Sequence, residues 1–303
     1  MDIGEHIRKA VEQLDRAGCD TPRLDAELLL GHALGLSRAQ LIARWDQVPS
    51  ADQAEAYLAL LGRRARREPL AYIVGRKEFF GLEFEVDRSV LIPRPETELL
   101  VERAIETARQ IDQSGREILR SAQNDAGCRL HIADIGTGSG AIAVSLAVSL
   151  REASIYAVDR SAAALATAAR NCARHGVEDR VRLLQGDLLA ALPEPVDMIV
   201  ANLPYVGRAE LETLAPEIRC FEPAEALDGG ADGMDLIRRL LAQVASQAQR
   251  PRRGKMPPPQ VILLEIGAMQ GQAVIELVEE ILGGAEVSLT QDYAGFDRIV
   301  TVR

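Results

Sequence analysis

Apolar residues follow two different rhythms along the 303-residue chain, and the change of rhythm divides it. Up to about residue 67 they recur three and four apart: Ile7, Val11 and Leu14, then Leu24, Leu28 and Leu29, then a further stretch over 54–61. That spacing puts them on one face of successive helices, so a small helical bundle is expected over residues 1–75. Pro22 suits the first turn of the second helix, where its missing N–H is no loss. Residues 79–86, FFGLEFEV, alternate around Gly81 and predict a short β-hairpin linker over 76–90.

From residue 91 to 303 apolar strand-like runs alternate with helical patterns, which predicts a mostly parallel sheet with helices on its faces. Strands are expected over 130–135, 154–158, 181–185, 196–201 and 261–266, with helices over 99–107, 141–150 and 271–282. A final pair of strands, 285–290 and 298–302, leaves the last free to run antiparallel. Residues 110–127 are polar, and residues 249–260, QRPRRGKMPPPQ, are rich in proline and base. Both are expected to be loop insertions.

Open α/β sheets do their chemistry at the carboxyl ends of the strands. The first strand here runs into Asp134-Ile135-Gly136-Thr137-Gly138-Ser139-Gly140. Glycines let a ligand touch the backbone, and the helix start that follows offers free N–H groups. Alone, such a run also fits a dinucleotide site or a tight turn. Asp159 ends the second strand, placed to accept both ribose hydroxyls of an adenosine cofactor, and Asp187 ends the third, placed for the adenine amino group. A dinucleotide would bring its pyrophosphate beside Asp134 and be repelled. An acidic residue there suits the ammonium and sulfonium of S-adenosyl-L-methionine. The candidate cofactor residues are Asp134, Gly136, Thr137, Gly138, Ser139, Gly140, Asp159, Asp187 and Asn202.

The fourth strand ends in Asn202-Leu203-Pro204-Tyr205. The Asn202 side-chain carbonyl, the backbone carbonyl after it and the flat face of Tyr205 make a cradle for a planar NH2 group. These four residues are the candidate catalytic set, and the acceptor they imply is an amide or aromatic amine nitrogen. The alternatives are an ordinary turn, a site for a nucleobase amino group, or an adenosine-ligand sensor without catalysis.

Charge and composition narrow the choice. A net charge of −10 disfavours a nucleic-acid substrate, which needs a basic face to displace counterions. Residues 1–75 hold ten Lys/Arg and eleven Asp/Glu, so the acid excess lies almost wholly in the remainder. The cluster Arg63, Arg64, Arg66 and Arg67 is expected to be solvated charge, as is the one at 252–255. No apolar run of twenty residues occurs and the start lacks an apolar signal core, so no membrane association is expected and a cytoplasmic location is. Cys19, Cys128, Cys172 and Cys220 are scattered without ligand spacing, as are the four histidines, so no metal is expected.

The chain resembles the HemK-type release-factor glutamine methyltransferases. The likeness rests on residues 91–98 (LIPRPETE), Asp134 to Gly140, Ala157-Val158-Asp159, Asn202 to Tyr205, Phe221-Glu222-Pro223 and Asp292-Tyr293, and it spans essentially the whole chain. It implies a class I S-adenosylmethionine methyltransferase sheet of Rossmann-like type, with a small all-helical amino-terminal domain that docks substrate and a β-hairpin linker. It further implies methylation of the side-chain amide nitrogen of the glutamine in the GGQ motif of class I peptide-chain release factors. The family's usual signature is NPPY. Leu203 replaces its first proline but keeps the backbone carbonyl which that residue contributes in the family.

Overall fold

Strand Met198–Ala201 is buried at all four positions, and the rest of the sheet is arranged around it. The computed structural model describes residues 1–122, 130–249 and 258–303. In chain order the helices are α1 (Ile3–Arg16), α2 (Pro22–Leu34), α3 (Arg38–Ala43), α4 (Ala51–Ala65), α5 (Leu70–Val74), α6 (Thr97–Ala122), α7 (Ala141–Ser149), α8 (Ala162–His175), α9 (Arg208–Leu211), α10 (Pro216–Phe221), α11 (Asp235–Gln249) and α12 (Gly271–Leu282). The strands are β1 (Arg76–Phe79), β2 (Leu82–Glu85), β3 (His131–Ile135), β4 (Ser154–Asp159), β5 (Val181–Gln185), β6 (Met198–Ala201), β7 (Val261–Glu265), β8 (Val287–Gln291) and β9 (Asp297–Val302).

The chain divides into two units: residues 1–76 with 214–222, and residues 77–213 with 223–303. In the first, α1 to α5 close over Ile3, Ile7, Leu14, Leu29, Leu30, Tyr57 and Leu61. Three of these helices start on capping boxes, Asp2 with Glu5, Ser37 with Gln40 and Ser50 with Gln53, so orphan N–H groups at both ends of each box are paired. Pro22 is the first residue of α2, as its fixed φ favours.

The arginines at the end of α4 depart from expectation. Arg64 is buried and donates from Nε to Asp25 at 2.7 Å and from Nη1 to Glu217 at 3.0 Å. Arg67 donates from Nε and Nη2 to the two oxygens of Glu217, both at 2.6 Å, and Arg63 clamps Glu68 at 2.9 Å. Three of the four are therefore fixed in ion pairs, Arg64 tying α4 to α2 and, with Arg67, holding the returning segment 214–222, and these three are not a solvated basic patch. Sequence spacing could not reveal this, because Glu217 lies about 150 residues away.

The second unit begins with the β1–β2 hairpin, turned by Phe80 and Gly81 at positive φ. Its main sheet has the order β5-β4-β3-β6-β7-β9-β8, parallel from β5 to β7, with β9 antiparallel to both β7 and β8. Alternate strand residues face opposite layers. Ile132, Met198 and Val200 join α6 and α7 on one side, whereas Ala133, Ile135, Ile199 and Ala201 join α11 and α12 on the other.

Helix α6 runs to Ala122, well past the expected end at 107, so residues 110–122 are helical and not loop. Its apolar stripe, Leu100, Val101, Ala104, Ile105 and Ala108, is buried against the sheet, and the polar residues that follow continue the helix. The remainder of that expected insertion, Cys128, and residues 250–257 of the second lie outside the described residues. No helix among the described residues is long and apolar enough to cross a membrane.

Candidate active site

At the carboxyl end of β3 the chain makes two tight contacts with its neighbours. Gly136 and Thr137 donate their N–H groups to the Val158 carbonyl at 2.9 and 3.0 Å, which pins the loop to the end of β4. Gly136 sits at φ +79, and a Cβ there would lie 3.2 Å from the Leu203 side chain, so only glycine lets β6 and the loop meet so closely. The Gly138 N–H donates to Asp159 Oδ2 at 2.9 Å, and the other Asp159 oxygen accepts from the Ser161 N–H at 2.9 Å.

A cavity of about 260 Å³ opens over these strand ends. Its wall includes Gly136, Gly138, Asp159, Asp187, Asn202, Leu203 and Pro204, and it is closed by Val90, Leu91, Pro223 and Leu236. Two roomier depressions carry no such constellation. One, of about 560 Å³, lies at the amino ends of β4 and β5. The other, of about 530 Å³, is lined by Arg160, Arg208, Arg238 and Arg239, each already paired with a carboxylate.

Asp134 differs from expectation. Its position on β3 has the parity of Ile132, so its side chain faces α7 and stays out of the cavity wall. Completely buried, it accepts from the Thr137 hydroxyl at 2.6 Å and the Ala143 N–H at 3.1 Å, while Oδ1 has no partner. Burial pushes its pKa up to about 7 against the pull of those two donors, and the nearby Asp159 charge adds to the rise. Thr137 and Ser139 are buried and, like Gly140, do not reach the wall. Ser139 offers its carbonyl to Asn171 Nδ2 at 2.8 Å, and Gly140 caps α7. Asp187 does reach the wall, with its Oδ2 held by Arg239.

On the other side of the cavity, Asn202 donates from Nδ2 to the Thr97 hydroxyl oxygen at 3.0 Å. Leu203 is buried among the apolar residues under the sheet. Tyr205 presents its hydroxyl to Glu265 Oε1 at 3.4 Å, and its carbonyl accepts from Gln270 Nε2 at 3.0 Å. Burial pushes the Tyr205 phenol up to about 12. Thr97, Glu265 and Gln270 were not singled out from sequence, nor was the segment 227–233. A Cβ on Gly233 would lie 2.2 Å from the Tyr205 carbonyl oxygen, and one on Gly229 2.7 Å from that of Pro204. The repeated glycines of 229–233 were the available signal. Among the described residues no group of three or more His, Cys, Asp or Glu side chains is gathered as for a metal.

Residues 5–75 match the family model described as PrmC N-terminal domain, and residues 96–226 match the Methyltransferase small domain. A release factor glutamine methyltransferase from Moorella thermoacetica is 41% identical over 98% of this chain and 97% of its own length. One from Cereibacter sphaeroides is 39% identical over 100% and 99%. The chain belongs to the release factor glutamine methyltransferase family. Among solved structures, the catalytic domain of hMettl16 in complex with the MAT2A 3′UTR hairpin 6 shares the fold, with a TM-score of 0.55 at 14% identity over 80% of this chain and 81% of that one. The family's fold is that of the class I methyltransferases, with a helical amino-terminal unit, and the donor of the methyl group is S-adenosylmethionine. In this member the cavity joins a glycine loop to an Asn-Leu-Pro-Tyr loop across adjacent strands β3 and β6.

Proposed function

We propose that this chain methylates, in the cytoplasm, the side-chain amide nitrogen of the GGQ glutamine of class I peptide-chain release factors, with residues 1–75 as the docking domain. The observation that carries the acceptor chemistry is Asn202 in the cavity wall. With its Nδ2 given to Thr97, its carbonyl oxygen is left to accept an N–H from a substrate amide. The names of the relatives support the substrate, and the net charge of −10 disfavours a polyphosphate one.

The cavity fits the cofactor. Gly136 and Gly138 bare their backbone to it, and the Asp159 carboxylate stands in the wall where two ribose hydroxyls would donate to it. Asp187 would take the adenine amino group, while Asp134, Thr137, Ser139 and Gly140 hold the loop that receives the ligand. When bound, the cofactor supplies an electrophilic methyl group on a sulfonium.

An amide nitrogen is a poor nucleophile because its lone pair is delocalised. The residues must therefore fix it in line and stabilise the positive charge that builds on it. Asn202 Oδ1 and the Leu203 carbonyl would each accept one amide hydrogen, and Tyr205, which stands behind the wall with its hydroxyl on Glu265, would flank the amide plane. As the nitrogen bonds to the methyl carbon, that carbon's bond to sulfur would break to leave a neutral thioether, and the nitrogen would then release one proton to water, so no general base is assigned.

The test is incorporation of labelled methyl into three acceptors: a class I release factor, the same factor with its GGQ glutamine changed to alanine, and duplex DNA. Label on the first alone is expected. Label on DNA and not on the release factor would contradict the proposal.

A further inference from the structure

Behind the acceptor loop lies a carboxylate that the chemistry above does not use. Glu265 ends β7 and is 1% exposed, paired in the sheet with Ile299 of β9. Its Oε1 accepts from the Tyr205 hydroxyl at 3.4 Å, its Oε2 has no partner among the described residues, and the Thr97 hydroxyl faces it closely enough to pull its pKa down against burial. Thr97, the first residue of α6 and itself buried, in turn receives Asn202 Nδ2 at 3.0 Å. Arg298 faces Glu265 from β9 and offsets part of the charge burial. Its own guanidinium donates to Asp292 at 3.0 and 3.2 Å and to the Ile266 carbonyl at 3.3 Å. Glu96 adds a like charge. A buried carboxylate that is only partly compensated is retained at a cost, so a role beyond stability is to be looked for.

The order of donors and acceptors supplies one. An ionised carboxylate can only accept. Whenever Glu265 is ionised, the Thr97 hydroxyl therefore spends its one hydrogen on it, which leaves only lone pairs facing Asn202. Lone pairs demand the NH2 end of the Asn202 amide, so its carbonyl end is turned to the substrate. Reversing Thr97 would reverse Asn202 and set two NH2 groups against each other. We propose that Glu265 is a positioning residue that acts through Thr97 to fix which end of the Asn202 amide faces the acceptor, and holds the Tyr205 hydroxyl at the same time. The role rests on the amide-methylation reading, since only an NH2-bearing acceptor needs the carbonyl end.

The experiment uses the full chain with a class I release factor, at saturating cofactor, and compares wild type with E265Q, T97V, T97S and the E265Q/T97V double variant. E265Q has the same shape, but its amide can donate to Thr97 and release the hydroxyl hydrogen towards Asn202. A fall in kcat of about 10–100-fold is expected for E265Q and for T97V, with cofactor affinity within about two-fold of wild type. T97S, which keeps the hydroxyl, should recover most of the loss. The double variant should be little worse than either single one, as members of one chain are not additive. E265Q that binds cofactor normally and keeps kcat within about two-fold of wild type overturns the assignment. If E265Q does not fold, the T97V and T97S pair decides: equal rates overturn it, and loss with recovery upholds it. Wild type that leaves the glutamine unmodified would instead overturn the reading of function, and the role of Glu265 with it.

Discussion

The two sides of the cavity each keep one buried carboxylate, and the company each keeps is different. Asp134, under the glycine loop, takes its partners from three and nine residues along the chain. Glu265, under the acceptor loop, meets Tyr205 from 60 residues away and Asn202 through Thr97, which is 105 residues from that asparagine. Burial pushes both groups up to about 7. The cofactor side is thus a local device that one strand, one loop and one helix start can build. The acceptor side is a tertiary one, assembled from α6, β6 and β7 with the turn at 227–233. A site that must hold a common ligand can be local, whereas one that must orient a weak nucleophile draws on rigid elements from across the fold.

If the sides have separate jobs, their variants separate in kinetics. The largest effect is expected for N202A, with turnover lower by about 10²–10³-fold and cofactor affinity little changed. Near-normal turnover would reduce the loop to a structural turn. D159A should do the reverse, weakening cofactor binding by about 10–100-fold through loss of charge-assisted hydrogen bonds, with turnover largely restored at saturation. Calorimetric titration reads it, and unchanged affinity in a folded variant would remove Asp159 from the cofactor side.

G233A puts a methyl group against the Tyr205 carbonyl at a position with φ +77, so it should destabilise the fold by about 1–3 kcal/mol. Thermal melting measures this, and the residual activity should show the acceptor-side pattern of reduced kcat at unchanged cofactor affinity. A melting temperature equal to wild type would mean that the turn at 227–233 does not brace Tyr205.

Stability should also depend on pH. Asp134 has a folded pKa near 7, above its ordinary value of 3.8, so between those values the folded state binds the extra proton. Ionisation penalises the fold, and this group's contribution to stability falls as pH rises from about 4 to 7. D134N lacks that penalty, so its melting temperature should gain on wild type over the same window. A gap that stays constant from pH 4 to 8 would contradict the burial argument.

The same contrast explains how much was legible in sequence. The glycine loop, Asp159 and the strand ends could be read because period-two burial and turn chemistry are local, and the resemblance to the methyltransferase family was carried by short motifs. Asp134 holds the motif position of a ligand contact, but its parity on β3, which no motif shows, turns it towards α7. Thr97 sat in view within residues 91–98, but nothing local says that its hydroxyl meets Asn202. Glu265 stands at the end of an apolar run, where a carboxylate carries no signal until its partners are known. The Arg64 and Arg67 pairs with Glu217 are invisible in sequence for the same reason. Helix α6 outran its expected end because the apolar stripe stops at about residue 108, and polar residues beyond it give no pattern for a helix to be read from.

One side of the cavity is proposed to hold the cofactor and the other the glutamine amide. The most direct measurement is the double-variant cycle of D159A and N202A, read as kcat/KM for release-factor methylation with cofactor as the varied substrate. Asp159 and Asn202 share no hydrogen-bond partner among the described contacts, so the two losses should multiply to within about three-fold. A double variant no worse than N202A alone would mean that both residues serve one step, and would contradict the division.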